Sequence, residues 1–161
     1  MAKRLNQMFC EQQIIKRYLC VTRGVPDNLE GIIDIPLEMG RCEGKERMVL
    51  RPEALEEYKH KVKSAKFAKR AVTQYKVVSQ YGNAALIEVW PKTGIRHQIR
   101  VHLGFGLRCP VLGDHKYSHL DKIAPQKLTA DMLLALNVRQ AKVRHIPMHL
   151  HARQYLLPST G

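Results

Sequence analysis

The sequence predicts an α+β fold, with a mainly antiparallel mixed sheet and flanking helices. Three observations support this prediction. Segments with strand-like apolar alternation recur along the chain, two of them form a clear hairpin, and helical periodicity separates only some of the strands. The chain has 161 residues, of which 45% are hydrophobic, and this is enough to bury one core. We therefore expect a single domain over residues 1–161.

The first quarter of the chain predicts one helix and two strands. Apolar residues at helical spacing predict a helix over about residues 2–13. Residues 14–21 are rich in strand formers and lead to a turn at Gly24, and residues 31–37 form the second strand. Residues 40–51 are polar and irregular in pattern, so we expect a loop there.

A basic stretch follows this expected loop. It has few large apolar residues, and its cationic residues are Lys59, Lys61, Lys63, Lys66, Lys69 and Arg70. We expect an exposed linker, because runs of charge are usually solvated; the alternative is an arm that faces RNA.

The second half of the chain contains the hairpin. Residues 71–78 and 84–90 alternate, and a turn around Gly82 separates them. A helix is expected over residues 96–103, ended by Gly104 and Gly106.

The C-terminal part predicts one more helix and a final strand. The helix covers residues 129–138, with Thr129 as its N-cap, and the strand covers residues 148–153.

The composition favours a polyanionic partner. There are 27 Lys and Arg against 14 Asp and Glu, so the net charge is +13, and the pI is about 9.9. Such a charge suits nucleic acid, although it also serves solubility.

The four cysteines contain no C-x-x-C pair, which argues against a zinc knuckle or a redox pair. We expect no membrane partner, because the sequence shows no basic amphipathic helix with a bulky aromatic face and no apolar run long enough to span a bilayer.

The densest group of functional side chains is the segment Lys92-Thr93-Gly94-Ile95-Arg96-His97-Gln98-Ile99-Arg100-Val101-His102. On the expected helix, Arg96, His97 and Arg100 share one face and Ile99 points to the core. Guanidinium groups near a helix N-terminus suit phosphate or carboxylate. The alternative is a surface helix that meets scattered carboxylates. No acidic residue is an obvious partner, so the segment resembles half of a site.

Other chemistries find less support. His149 and His151 share a strand face, but no third ligand is apparent, so we predict no metal site. No motif marks a serine or cysteine nucleophile. Tyr18 lies beside Lys16 and Arg17, which makes it a candidate for stacking on a base; the alternative is an ordinary core or surface aromatic.

Four segments together resemble the RluA-type RNA pseudouridine synthases. Lys16-Arg17-Tyr18 resembles the family's K-x-Y strand, and residues 93–102 resemble its T-G-R-x-H-Q-[IL]-R-x-H motif. Residues 109–117 resemble its P-[IV]-x-G-D-x-x-Y segment, and residues 149–152 its final L-H-A strand. These segments occur in the family's order and cover nearly the whole chain. The stretch over residues 104–128 is most similar to mitochondrial animal members.

The resemblance implies the fold of the family's catalytic domain and a cofactor-free isomerisation of uridine to pseudouridine in structured RNA. The implied RNA is mitochondrial rRNA or tRNA, the location is the mitochondrial matrix, and the enzyme is a monomer. The target uridine would be flipped out of its stack. Tyr18 would stack on the base and help to remove the C5 proton. Arg100 would pair with the catalytic aspartate.

The same resemblance implies five further site residues. Lys92, Arg96, His97 and Gln98 would contact the RNA backbone, and Ile99 would pack under the pocket.

Two departures from the family pattern affect the expectations. Ile95 stands where most of the family has Arg, and the basic residue follows at Arg96. The family's H-R-L-D-x-x-[TS]-[TS]-G motif, which carries the catalytic aspartate, has no counterpart before Tyr18. We therefore expect the N-terminal part of the domain, with this aspartate, to be missing and the chain alone to be inactive.

The alternative function is that of a non-catalytic RNA-binding or ribosome-assembly module. A metal-dependent nuclease would need clustered carboxylates, which the sequence does not show.

Overall fold

The computed structural model of the chain describes residues 2–10, 14–55 and 67–157. Their strands are β1 (Ile15–Arg23), β2 (Glu30–Asp34), β3 (Leu37–Cys42), β4 (Lys45–Leu50), β5 (Val72–Tyr81), β6 (Ala84–Pro91) and β7 (Leu150–Leu156). The α-helices are α1 (Ala2–Cys10), α2 (Gln98–Val101) and α3 (Ala130–Leu136). A π-helix over His102–Gly106 continues α2, and 3₁₀ turns cover Pro52–Ala54 and Gln140–His145.

Five strands form the main sheet, in the order β2-β5-β6-β1-β7. Every pairing in the described sheet is antiparallel. In β1, Tyr18 lies opposite Val89 of β6 and Ala152 of β7. The pairing of β1 with β7 shifts after Arg17, so β7 contains a bulge at Arg153. The predicted α+β fold with a mainly antiparallel sheet is confirmed.

The predicted hairpin is present as β5 and β6. Its turn needs Gly82, which has a φ of +54°, and Gly82 lies so close to Asp131 that a Cβ would meet the carboxylate at 2.3 Å. The backbone and side-chain amides of Asn83 both donate to Asp131, each at 3.0 Å. These bonds fasten the hairpin turn to the first turn of α3.

The prediction of a loop over residues 40–51 is wrong, because β3 and β4 form a second hairpin there. Glu43 and Gly44 make a two-residue turn with φ values of 50° and 76°, as the twist of a tight hairpin favours. The sequence of β4 shows no apolar alternation, because the charged residue Arg47, which is only 4% exposed, is buried next to Met48.

The helix expected over residues 96–103 begins later and ends differently. His97 has a left-handed φ of 57°, so α2 starts at Gln98 and Arg96 lies outside it. The shared helical face of Arg96, His97 and Arg100 is therefore not formed. Gly104 does not end the helix but lies inside its π-helical extension, where a Cβ would come within 2.4 Å of the Tyr117 carbonyl oxygen.

The remaining predicted elements differ mainly at their ends. The first helix is observed over Ala2–Cys10, and residues 11–13 lie outside the described residues. Most of the basic stretch, residues 59–66, also lies outside them, whereas the Lys69 backbone pairs with Leu37. Thr129 precedes α3 as expected, but its side chain makes no capping hydrogen bond.

The core positions α2 against the sheet. Ile99 and Leu103 are buried together with Cys20, Ile87 and Val89 of the central strands. Each such large apolar side chain contributes about 1.5–3 kcal/mol on burial, so the helix carrying Arg100 is held firmly in place. Among the described residues, no helix has the length and apolar character needed to cross a membrane.

Candidate active site

A cleft of about 400 Å³ lies where β1 and β7 meet the segment that connects β6 to α2. Its wall brings together three parts of the chain that are distant in sequence. The lining residues are Lys16, Tyr18, Pro91, Thr93, Gly94, Ile95, His97, Gln98, Ile99, Arg100, Met148 and Leu150. Five of the seven residues predicted from the sequence are therefore in one cleft.

Tyr18 lies on the β1 wall of the cleft. Strand alternation places Lys16 and Tyr18 along the cleft, whereas Arg17 forms an ion pair with Glu88 of β6. The Tyr18 hydroxyl is 2.8 Å from the hydroxyl of Tyr155, and the two rings meet edge to face. Burial, together with this hydrogen bond, raises the pKa of Tyr18 to about 12. The phenol is therefore neutral at physiological pH.

Arg100 has an acidic partner that the sequence did not reveal. Its Nε and Nη2 atoms donate to the two carboxylate oxygens of Asp114 at 2.8 and 2.9 Å. Asp114 is only 1% exposed and also accepts the backbone amides of Lys116 and Tyr117. Burial opposes the charge of Arg100, but the carboxylate outweighs it, and the pKa of the guanidinium is raised. The expectation that no acidic residue partners this basic cluster is wrong.

The guanidinium of Arg100 has hydrogen-bond donors that Asp114 does not use. Asp114 occupies the edge formed by Nε and one hydrogen of Nη2, and Nη1 has no hydrogen-bond partner among the described residues. A guanidinium carries five donors, so it can hold a second anion while it remains bound to the first.

Tyr117 joins the Arg100 side of the cleft to His97. It is fully buried, and the guanidinium carbon of Arg100 lies 4.9 Å from its ring centre. Its hydroxyl accepts the amide hydrogen of Met48 and lies 2.8 Å from Nδ1 of His97. Because the phenolic hydrogen has only His97 as acceptor in the described structure, His97 takes the tautomer with its hydrogen on Nε2.

His97 is neutral at physiological pH. Burial and the nearby cations Arg100, Lys116 and Arg96 lower its pKa to about 4. The imidazole therefore supplies a hydrogen-bond donor to the cleft and no charge.

A buried polar network holds the connecting segment on the sheet. The Gln98 carbonyl accepts from the Thr93 hydroxyl at 2.6 Å and from the Ile95 amide at 3.2 Å. The Gln98 amide group donates to the Val72 carbonyl at 2.8 Å and to the Thr73 hydroxyl at 2.9 Å. All four hydrogen-bonding positions of the Gln98 side chain are thus used inside the protein.

His102 extends this network to the backbone just after β2. Its Nδ1 lies 2.7 Å from the Thr73 hydroxyl, and its Nε2 lies 2.9 Å from the Ile35 carbonyl, to which it donates. The ring is completely buried, and burial lowers its pKa, so it is a neutral part of the framework.

Arg47 supports the loop behind Asp114. Its guanidinium donates to four backbone carbonyls, those of Lys116, His119, Leu120 and Lys122. It also lies over the Phe105 ring at 5.0 Å. A buried cation with these partners fixes the loop over residues 116–122 without an acidic residue.

Two predicted residues lie apart from the cleft. Arg96 is exposed and lines a second groove, beside β3 and β4. Lys92 is exposed at the end of β6, and its backbone amide donates to the Val72 carbonyl. Both are surface cations near the cleft.

The cleft is cationic. None of the described residues that line it is a carboxylate, and the Asp114 charge is bound to Arg100. Burial lowers the pKa of Lys16, which faces the same space. The arrangement suits an anionic or strongly polar ligand.

Sequence reasoning missed the roles of Asp114, Tyr117 and Tyr155. The first two belong to the segment over residues 109–117 that was singled out for its resemblance, but the motif alone does not indicate their partners. Tyr155 is placed opposite Lys16 by the β7 register, which no local pattern specifies.

The histidines of the C-terminal segment form no evident metal site. His149 bonds to the Pro147 carbonyl, and His151 is exposed. In the part of the chain that the structure describes, no three His, Cys, Asp or Glu side chains are grouped to hold a metal ion.

Comparison with known families identifies the source of these motifs. Residues 1–104 match the sequence profile of a family described as RNA pseudouridylate synthase.

The curated relatives agree with this match. The protein called Pseudouridylate synthase RPUSD4, mitochondrial, is 46% identical to the whole chain in Rattus norvegicus and 45% identical in Homo sapiens. The chain covers 44% of each of these relatives, so it spans less than half of their length. Their names support the mitochondrial localisation that the resemblance implies.

A solved structure shares the fold. The structure of Human RNA Pseudouridylate Synthase Domain Containing 4 superposes with a TM-score of 0.81 at 42% identity. The match covers 99% of this chain and 59% of that one.

Proposed function

Because this chain belongs to the RNA pseudouridylate synthase family, we propose that it forms part of an enzyme that isomerises uridine to pseudouridine in RNA. One observation carries the proposal. Tyr18 and Arg100, which the family resemblance implicates in catalysis, line the same cleft although they are 82 positions apart in sequence. A cationic cleft of about 400 Å³ is suited to a flipped nucleotide.

The reaction breaks the bond between N1 of uracil and C1′ of ribose and forms a bond between C5 and C1′. The base rotates between these steps, C5 loses a proton and N1 gains one. Atoms balance within one nucleotide, so we propose that no cofactor takes part.

Tyr18 holds the flipped uracil by stacking. Because the pKa of Tyr18 is about 12, its phenol stays neutral and almost no phenolate is present to accept the C5 proton, so stacking accounts better for its role than unaided removal of that proton. Ile99 packs beneath the pocket floor, where it is 7% exposed.

Arg100 positions the reacting carboxylate. Asp114 fixes one edge of its guanidinium, and the remaining donors pair with a catalytic aspartate that lies outside the 161 residues. An adjacent guanidinium keeps such a carboxylate ionised and correctly oriented. The absence of the H-R-L-D-x-x-[TS]-[TS]-G motif from this sequence supports the external origin.

The remaining predicted residues divide into two groups. Lys92 and Arg96 are exposed cations that bind RNA phosphates, and His97 donates a neutral hydrogen bond from Nε2. Gln98 has no unengaged hydrogen-bonding group, so we assign it to holding the segment in place rather than to contacting RNA.

The substrate that we propose is mitochondrial rRNA or tRNA, and the location is the mitochondrial matrix. The basis is the similarity to relatives named as mitochondrial pseudouridylate synthases. We propose a monomer that acts without a membrane partner.

The test is a carbodiimide primer-extension assay on mitochondrial RNA. It compares the 161-residue chain with a longer natural protein that contains both this chain and an upstream H-R-L-D-like segment. We expect new pseudouridine with the longer protein and none with the 161 residues alone. Conversion by the short chain would contradict an external aspartate. Tight RNA binding without conversion by either protein would instead favour the non-catalytic RNA-binding or ribosome-assembly module.

A further inference from the structure

A second groove, of about 420 Å³, lies beside the cleft. Its floor is apolar and comes from the β3–β4 hairpin and from the segment before α2. Leu37 and Met48 are buried at its base, and Met39 of β3 is 41% exposed on its wall. The exposed ring of Phe67 also borders it.

Ile95 makes the groove apolar where the family motif has a cation. Its side chain packs against the buried cluster that contains Leu37, Met48 and Tyr117. An Arg at this position would bring a charge to the groove floor. With Ile95 there, the floor accepts a flat apolar surface instead of a phosphate.

The rim of the groove carries positive charge. Arg96 and Lys69 are both lining residues. The acidic lining residue, Glu38, is bound to Arg51 at 2.8 Å and has a side chain only 12% exposed, so its charge is balanced. An apolar floor with a cationic rim matches a nucleobase and its backbone phosphate.

The groove is continuous with the candidate active site. Gly94 and Ile95 line both spaces, so they form the ridge between them. Gly94 keeps this ridge low, since its side-chain position is open and a Cβ would meet only Lys16 Nζ, at 3.7 Å. A ribose-phosphate backbone can cross the ridge at this point.

We propose that this groove binds the base of the nucleotide next to the target uridine, with Met39 and Ile95 contacting the base and Arg96 its phosphate. The proposal rests on the proposed function, because that function places the target uridine in the neighbouring cleft. The groove then contributes to the choice of sequence around the modified site.

The test uses the longer protein of the isomerisation assay and single-stranded RNA with one uridine. The Kd and the kcat/KM are measured on intact RNA and on RNA with an abasic site 5′ or 3′ of the uridine. The variants are Met39→Ala, Met39→Leu and Arg96→Ala, with Arg139→Ala as a control for loss of an exposed cation. An abasic site far from the uridine controls for flexibility of the RNA.

We expect one of the two adjacent abasic sites to weaken wild-type binding about tenfold, because removing the base removes its apolar contacts with Met39 and Ile95. Met39→Ala should weaken binding to intact RNA by a smaller factor, because Ile95 still contacts the base, and should be less sensitive to that abasic site than the wild type. Met39→Leu and Arg139→Ala should behave like the wild type. Arg96→Ala should weaken binding to intact and abasic RNA alike, because its phosphate is present in both.

Two results would overturn the proposal. The first is a wild-type Kd that stays the same when either adjacent base is removed. The second is a Met39→Ala variant whose Kd is raised by the same factor on abasic RNA as on intact RNA. If either occurs while isomerisation proceeds, the groove proposal fails and the proposed function stands. If the base dependence is present in Kd but no RNA is isomerised, the proposed function fails and the base-binding groove stands.

Discussion

At the scale of single residues, the cleft depends on how one guanidinium is held. Arg100 is bound on one edge by Asp114 and lies over the Tyr117 ring. This fixes both its position and its plane, so the donors that remain have a defined direction. A lysine has no such fork and cannot replace it.

We predict that Arg100→Lys in the active protein lowers kcat by about 10²–10³-fold, the usual effect of removing one preorganised electrostatic contact. RNA affinity should change little, because the net charge is kept. Single-turnover kinetics and a filter-binding titration measure the two quantities. Arg139→Lys, at an exposed site, serves as the control. Near-normal turnover by Arg100→Lys would refute the role assigned to Arg100.

Asp114→Ala tests the support of this guanidinium. We predict that it lowers the free energy of unfolding by about 3–5 kcal/mol, because it leaves a half-buried cation without its partner. Denaturant unfolding measures the loss. The double variant Arg100→Met with Asp114→Leu should recover part of the stability but no catalysis. Equal stability of the wild type and Asp114→Ala would contradict the pairing.

The pKa of His97 gives a pH dependence of defined sign. The folded-state value of about 4 is below the ordinary value of 6.5, so unfolding takes up a proton between these two pH values. The contribution of neutral His97 to stability is complete above pH 6.5 and is lost as the pH falls through 4. We predict that an NMR titration finds its midpoint near 4. A midpoint near 6.5 would show that the ring is not desolvated.

At the scale of elements, the segment between β6 and α2 is held by a network that runs through its polar residues. The family resemblance implied that one of these residues, Gln98, contacts the RNA backbone. The structure instead turns Gln98 and His102 inward, where they bond to β5 and to the backbone after β2. The arginines and His97 are left to face the cleft and the surface.

We predict that Gln98→Leu destabilises the protein by about 1–3 kcal/mol for each buried partner left unsatisfied. Thermal unfolding followed by circular dichroism measures the loss. Gln80→Leu, on an exposed position of β5, is the matched control and should be nearly neutral. If the two variants had the same Tm, the buried network would contribute nothing to stability.

At the scale of the whole molecule, charge governs the encounter with RNA. A net charge of +13 is spread over 161 residues, and the cleft and the groove beside it both carry cations. Phosphate contacts release counterions, and this release makes binding depend on salt.

We predict that the 161-residue chain binds single-stranded RNA with an affinity that falls about tenfold or more between 50 and 200 mM salt, as three or more phosphate contacts require. Fluorescence anisotropy across a salt series measures the slope. Arg96→Ala should make the slope shallower, whereas a slope near zero would argue against a phosphate-binding surface.

The family resemblance singled out Tyr18 and Arg100, and the sequence by itself determined the fold class and the β5–β6 hairpin. Local alternation and turn residues act over short distances, so these features can be recognised in the sequence. The β3–β4 hairpin could not be recognised in the sequence, because Arg47 interrupts the apolar pattern of β4. The four carbonyl partners of Arg47, which explain its burial, lie some 70 residues away in sequence.

Only the tertiary structure decided which polar groups meet. It paired Arg100 with Asp114, turned Gln98 inward and separated Arg96 from the cleft, because a positive φ at His97 delays the helix. Such outcomes depend on desolvation: a polar group that loses water must find a partner wherever the fold supplies one. A sequence motif shows which polar side chains are present, and the tertiary packing determines which hydrogen-bond partners they meet.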